Sequence, residues 1–90
     1  MEIRPTDFVS SHKTGSVSNL TLGQIQERLG FPPTSENDDK SEYTWEFTVD
    51  GVPCSIWDWK GSYRARQWSA YGPDAVLRSV FGANYAPYRF

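Results

Sequence analysis

Aromatic and basic side chains are concentrated in one stretch of this chain, residues 57–72 (WDWKGSYRARQWSAYG). Five of these sixteen residues are Trp or Tyr, and the local charge is +2 in a chain whose net charge is −2. Aromatic faces interleaved with cations can stack on bases and contact phosphates. The same residue types are enriched in the hot spots of protein interfaces. The candidate binding residues are Trp57, Trp59, Lys60, Tyr63, Arg64, Arg66, Trp68 and Tyr71.

Three interpretations of this stretch stay open. In the first, a helix covers the sheet face that carries Trp57 and Trp59, and both side chains belong to a core. In the second, the aromatic and basic residues contact a protein partner. In the third, they bind a nucleotide or a single-stranded nucleic acid, with an indole stacked on a base and arginines on phosphate.

Catalytic groups are sparse. His12 is the only histidine and lies in a Ser-rich segment, and Cys54 falls on a predicted inward face as a small core residue. Glu46 and Asp58 fall on opposite faces of the predicted hairpin, so that paired acid–base chemistry is disfavoured. We expect Asp58 to be held by a Tyr hydroxyl or an Arg, with an oriented carboxylate in a binding pocket as the alternative. The sequence predicts no enzyme, no metal site and no cofactor.

Length and composition narrow the class of protein. A chain of 90 residues with 38% hydrophobic residues allows one small domain with one core. A single cysteine excludes an intramolecular disulfide framework and indicates a reducing compartment. No apolar run approaches the length of a membrane span. A pI near 5.2 argues against duplex binding as the main activity.

A short helix is predicted at residues 22–29. Thr21 and Gln24 have the spacing of a capping box, and Gly30 is suited to a left-handed C-cap. Between the caps, Leu22, Ile25 and Leu29 form one apolar stripe.

The most distinctive element is a β-hairpin. Residues 43–49 alternate apolar and polar side chains, Asp50-Gly51 is a two-residue turn, and residues 52–59 return. This turn places Trp45 opposite Ile56 on a core face, and it points Trp57 to the other face.

The remaining segments complete the predicted architecture. We expect a third strand over residues 66–71, a second helix that begins after Gly72 and ends at Gly82, and an aromatic tail that packs on the sheet or on a partner. Residues 34–42 are predicted to form a solvated acidic loop, with contact to a cation or a basic partner as the alternative, and residues 1–19 a loosely packed N-terminal arm. The prediction is a single compact α+β domain over residues 20–90, with a short helix, a three-stranded antiparallel β-meander and a C-terminal helix.

Residues 50–62 (DGVPCSIWDWKGS), followed by residues 68–73 (WSAYGP), resemble small uncharacterised proteins of tailed bacteriophages. In those proteins a short helix ending in Leu-Gly-x-Pro precedes a D-G-x-x-C-x-I-W-D-x-K-G hairpin. A W-S-x-Y-G-P segment and a helix ending in Phe-Gly follow. The steps at residues 29–32 and 81–82 fit this order, and the resemblance covers about residues 20–85. This chain differs in carrying residues 63–66 (YRAR) between the two motifs.

The resemblance implies no catalytic residues. It implies a phage accessory protein of the bacterial cytoplasm that acts by binding, and we expect it to inhibit a host defence or regulatory protein, as anti-CRISPR proteins do. The alternative is a protein that binds or sequesters a nucleotide or single-stranded nucleic acid through the aromatic and basic stretch. An exposed hairpin edge and the aromatic tail would support a homodimer, and the sequence leaves the oligomeric state open.

Overall fold

A computed structural model describes residues 1–7, 12–36 and 42–88 of the chain. In these residues the strands are β1 (Ile3–Pro5), β2 (Gly15–Ser18), β3 (Ser35–Glu36), β4 (Tyr43–Val49), β5 (Val52–Trp57), β6 (Gln67–Tyr71) and β7 (Tyr85–Pro87). The helices are α1 (Leu22–Leu29) and α2 (Asp74–Phe81), with short 3-10 helices at Ser62–Ala65 and Gly82–Asn84. The chain is therefore an α+β domain, as its sequence predicts.

Helix α1 has the bounds that its capping residues predict. The Gln24 backbone N–H donates to Thr21 Oγ1 (3.2 Å), and the Thr21 N–H donates to Gln24 Oε1 (2.9 Å), which completes the capping box. Gly30 ends the helix in the left-handed region, with φ of 90°. Ile25 and Leu29 are buried.

The hairpin of β4 and β5 has the predicted register. Asp50 and Gly51 both have positive φ (50° and 83°), as the type I′ turn of a twisted hairpin requires. Trp45 lies opposite Ile56, and Phe47 lies opposite Cys54. All four of these side chains are fully buried.

The sheet is larger than the predicted meander. β4, β5 and β6 form the expected three antiparallel strands, but the full strand order is β1-β4-β5-β6-β2-β7, with β3 added beside β4. Residues 1–19, predicted as a loose arm, supply β1 and β2, and the aromatic tail supplies β7 as far as Pro87. These strands have two to four residues each, too few for a period of two to stand out. Parts of the predicted arm, acidic loop and tail (residues 8–11, 37–41 and 89–90) lie outside the described residues.

The two ends of the sheet offer little backbone to another chain. β1 and β7 are three residues long, and each ends in a proline, Pro5 or Pro87. Short edge strands and edge prolines limit strand pairing between molecules. A homodimer built on these edges is therefore disfavoured.

One hydrophobic core lies between the sheet and both helices. It joins the inward-facing residues of the strands to Ile25 and Leu29 of α1 and to Leu77 and Phe81 of α2. Trp57 is buried but is not part of this cluster, because it points to the other face of the sheet.

Two tryptophans in this core hold α1 at both ends. The rings of Trp45 and Trp68 meet edge to face, 5.5 Å apart. Trp68 Nε1 donates to the Leu20 carbonyl (2.8 Å) before the helix, and Trp45 Nε1 donates to the Phe31 carbonyl (2.9 Å) after it. Each buried indole N–H is thus satisfied, and α1 is fixed to the sheet.

Candidate functional site

The loop after β5 is organised by Asp58, whose side chain is fully buried. Its Oδ1 accepts hydrogen bonds from the backbone N–H groups of Glu42 (2.9 Å) and Tyr43 (2.7 Å), and its Oδ2 accepts one from Gly61 (3.2 Å). The predicted structural role is correct, but the partners are backbone amides and not a Tyr hydroxyl or an Arg. A carboxylate with three such donors is a brace for the loop.

A tight turn then presents Trp59. Lys60 and Gly61 both have positive φ (51° and 81°), and the Ser62 N–H donates to the Trp59 carbonyl (3.1 Å). The Ser62 hydroxyl accepts from the Trp59 N–H (2.9 Å) and donates to the Gln67 carbonyl on β6 (2.7 Å). Ser62 therefore holds both the N–H and the carbonyl of Trp59, and its hydroxyl links this turn to β6.

A cleft of about 340 Å³ opens beside this turn, and we call it the Trp59 cleft. The described residues that line it are Lys13, Trp57, Trp59 and Ser69. Trp57 and Ser69 are paired across β5 and β6, and both are nearly buried, with 7% and 8% of their surface exposed. Trp59 is 47% exposed. The helices pack on the opposite face, so that neither α1 nor α2 covers Trp57.

Two ammonium groups contact aromatic rings in or next to this cleft: Lys13 itself lines the cleft, and Lys60 lies over Trp59, which also lines it. Lys60 Nζ lies 5.7 Å from the centre of the Trp59 ring, and Lys13 Nζ lies 5.3 Å from the centre of the Tyr88 ring. Tyr88 is itself 46% exposed. A cation over an aromatic face is favourable in water by about 0.5–1 kcal/mol, which holds these charges near the cleft.

Lys13 and Tyr88 were not among the sequence-based candidates. The Tyr88 N–H donates to the Thr14 carbonyl (2.9 Å), next to the pairing of β2 with β7, and this brings the two residues together from opposite ends of the chain. For Tyr88, the sequence gives a partial indication, because the aromatic tail is predicted to pack on the sheet or on a partner. Nothing local indicates that Lys13 faces the same cleft.

Two of the predicted binding residues lie in a different cluster. The Tyr63 ring meets Tyr43 edge to face (5.0 Å), and the Arg64 guanidinium lies over Tyr63 (4.9 Å). Arg64 also lies 3.8 Å from the Glu42 carboxylate. The hydrogen bond to Glu42 is the main reason that the pKa of Tyr63 is raised. Because Tyr43 shares the inward face of β4, this cluster is separate from the Trp59 cleft.

The other three predicted binding residues lie in three different environments. Trp68 is 2% exposed and bonded to Leu20 within the core, so it is removed from the binding surface. Tyr71 is half-buried and lies opposite Ser55, on the same sheet face as Trp57. Arg66 is exposed and has a positive φ of 58° where the 3-10 helix ends.

Groups suited to catalysis are not brought together in the described part of the chain. Cys54 is fully buried, and burial raises the pKa of its thiol to about 11, which keeps it protonated and unreactive near neutral pH. His12 is exposed, and the Asp58 oxygens are engaged by backbone amides. Residues 1–7, 12–36 and 42–88 contain no group of three or more His, Cys, Asp or Glu side chains suited to a metal ion. Of the helices described, none has the length and apolar character needed to cross a membrane.

Comparison with known proteins adds no relative: no protein-family model, curated protein or solved structure matches this chain.

Proposed function

We propose that this protein acts by binding another protein through the Trp59 cleft. The observation that carries the proposal is the half-exposed Trp59, held by a braced turn above a face that neither helix covers. Burying the exposed half of an indole against a partner would contribute roughly 3 kcal/mol.

The distribution of exposed aromatic side chains supports this assignment. Among the described residues, the large hydrophobic side chains with substantial exposure are Met1, Trp59 and Tyr88. Of these three, Trp59 lines the cleft, and Tyr88 contacts Lys13, which also lines it. Exposed aromatic residues next to a cleft are typical of interface hot spots.

The biological role that we propose is that of a phage accessory protein. The hairpin motif at residues 50–62 supports a phage origin, and we infer that the partner is a host defence or regulatory protein that this chain inhibits. An anti-CRISPR-like or other counter-defence role needs binding and no chemistry. This agrees with a buried thiol at Cys54 and an Asp58 carboxylate fully used by the backbone.

Affinity capture from the host bacterium tests this proposal when matched variants are used. Trp59→Ala should remove a specific host protein from the captured fraction, whereas Arg4→Gln should retain it. Arg4 lies opposite Thr48, near one end of β4, whereas Trp57 lies opposite Thr44, near the other end of the same strand. The purified partner should then bind the wild type at least tenfold more tightly than Trp59→Ala in calorimetry. Equal affinity for the two proteins would contradict the proposal.

A nucleotide or a short single strand is the second candidate ligand. The observation that favours it is the pair of ammonium groups, Lys13 and Lys60, beside the indoles of the cleft. Two phosphate contacts would give a slope of log K against log salt of about −1.4 for a single strand. Titration of tryptophan fluorescence with mononucleotides, cyclic nucleotides and oligonucleotides tests this ligand. A saturable, salt-sensitive change in emission would favour it over the protein partner.

A further inference from the structure

We infer that the Trp59 cleft recognises an acidic segment of its partner, in which Asp and Glu residues flank one large apolar side chain. This inference rests on the proposed function and specifies the chemistry of the partner. It follows from the charge around the cleft, from its size, and from the charge of the whole chain.

The charge around the cleft is positive although the chain as a whole carries −2. Lys13 lines the cleft, and Lys60 stands over the ring of Trp59. The described lining residues include no carboxylate. Asp58 is adjacent in sequence, but its fully buried carboxylate is enclosed by three backbone N–H groups. Among the described lining residues, a carboxylate of the partner would meet Lys13 and no acid, and Lys60 lies over the ring of Trp59.

The size of the cleft suits a single anchoring side chain. Its volume of about 340 Å³ is at the lower end of the range for small-molecule pockets. Trp57 and Trp59 supply aromatic walls, and the Ser69 side is nearly buried. An apolar side chain would bury the exposed part of Trp59, and flanking carboxylates would reach Lys13 and Lys60.

The charge of the whole chain separates this ligand from a nucleic acid. Proteins that bind single strands without sequence preference use a basic groove that follows many phosphates. Here the described contacts provide two cations, Lys13 and Lys60, and the pI of the chain is near 5.2. A nucleic-acid strand would need cations along many phosphates, whereas an acidic segment with one apolar anchor needs only these two.

Calorimetry with a synthetic peptide tests the inference. The probe is the blocked heptapeptide Glu-Asp-Glu-Phe-Glu-Asp-Glu, and its matched controls carry Gln and Asn in place of the acids, or Ala in place of Phe. Binding should be saturable at about 0.05 M salt, weaker at about 0.5 M salt, and absent for both control peptides. Lys13→Gln and Lys60→Gln should each weaken it about two- to fivefold. Trp59→Ala should weaken it more than tenfold, and Arg4→Gln should leave it unchanged.

Four results with the synthetic ligands would overturn the inference. They are absence of probe binding, equal affinity for the uncharged peptide, lysine variants as tight as the wild type, and tighter binding of a thymidine oligonucleotide of about ten nucleotides than of the probe. A captured host protein whose affinity depends on Trp59 but not on Lys13 or Lys60 would overturn this inference and leave the proposed function standing. A partner whose affinity is independent of Trp59 would overturn the proposed function itself. Urea unfolding of each variant shows that the fold is retained.

Discussion

Replacing Asp58 with Asn tests whether the buried carboxylate braces the loop that presents Trp59. The two side chains have the same shape, but Asn has one acceptor oxygen where Asp has two. The amides of Glu42 and Tyr43 can keep the single oxygen, while the Gly61 N–H then faces an NH₂ group. One backbone donor loses its acceptor, and two charge-assisted bonds become neutral.

The expected cost follows from these three hydrogen bonds. Bonds to a charged acceptor contribute about 1.5–3 kcal/mol and neutral ones about 0.5–1.5 kcal/mol, while an orphaned donor costs about 1–3 kcal/mol. The smaller desolvation cost of a neutral amide offsets part of this loss. We expect Asp58→Asn to lower the free energy of unfolding by about 2–3 kcal/mol, and Asp58→Ala to lower it by about 4 kcal/mol. A domain of this length has a total of about 5–13 kcal/mol.

Urea unfolding and a thermal melt measure this loss. A loss of 2–3 kcal/mol corresponds to a decrease in Tm of about 8–24 °C in a domain of this size. Asp50→Asn is the matched control, because Asp50 is exposed, its Oδ1 accepts one bond from the Glu2 N–H (2.7 Å), and Asn is favoured in its turn. Its effect should stay within about 0.5 kcal/mol. An Asp58→Asn variant as stable as the wild type would refute the brace.

Three further predictions concern the core. Burial raises the pKa of Cys54 from 9.0 to about 11, so that the unfolded chain loses the thiol proton first. Relative to Cys54→Ala, the free energy of unfolding of the wild type should therefore fall by about 1.4 kcal/mol per pH unit between pH 9 and pH 11. Urea unfolding at several pH values measures this slope, and the same pH dependence of stability in both proteins would contradict the prediction. Trp68→Phe removes the donor to the Leu20 carbonyl and part of a core ring, and it should cost about 2–3 kcal/mol in urea unfolding; a cost under 0.5 kcal/mol would argue against the bond. A Cβ at Gly15 would lie 2.5 Å from the Tyr85 ring, so Gly15→Ala should lower the unfolding free energy by about 1–3 kcal/mol, and an unchanged Tm would refute this close packing.

The sequence predicts the elements that carry their own local signals. The Asp50-Gly51 turn specifies a two-residue hairpin loop, and the register of β4 with β5 follows from it residue by residue. Thr21, Gln24 and Gly30 define both ends of α1 in the same way. Each of these signals acts within a few residues, so no knowledge of distant contacts is required.

The outer strands are not predictable in this way. β1 and β7 have three residues each, and their pairing partners β4 and β2 lie far along the chain. Such strands are stabilised by hydrogen bonds to a neighbouring strand, β4 for β1 and β2 for β7, more than by the preference of their own sequences for an extended state. The meander is thus predicted and its extension on both sides is not.

The candidate site could be predicted only in part, because it too depends on contacts between distant parts of the chain. Alternation along β5 correctly places Trp57 on the face opposite the core, but it cannot say that Trp57 would be nearly buried there while Trp59 stays half-exposed. Trp68 is assigned to the surface by composition, although its alternation within β6 directs it into the core. Lys13 lines the cleft, and its contact with Tyr88 depends on the pairing of β2 with β7, which joins opposite ends of the chain.

Site-specific photocrosslinking in host cells tests most directly whether the Trp59 cleft is a binding surface. A photoreactive phenylalanine analogue would replace Trp59 in one protein and Arg4 in a matched control. We expect a discrete adduct with one host protein from position 59, reduced by Lys60→Gln and absent from position 4. The same adducts from both positions, or only adducts between two copies of this chain, would contradict the assignment of the cleft to a host partner.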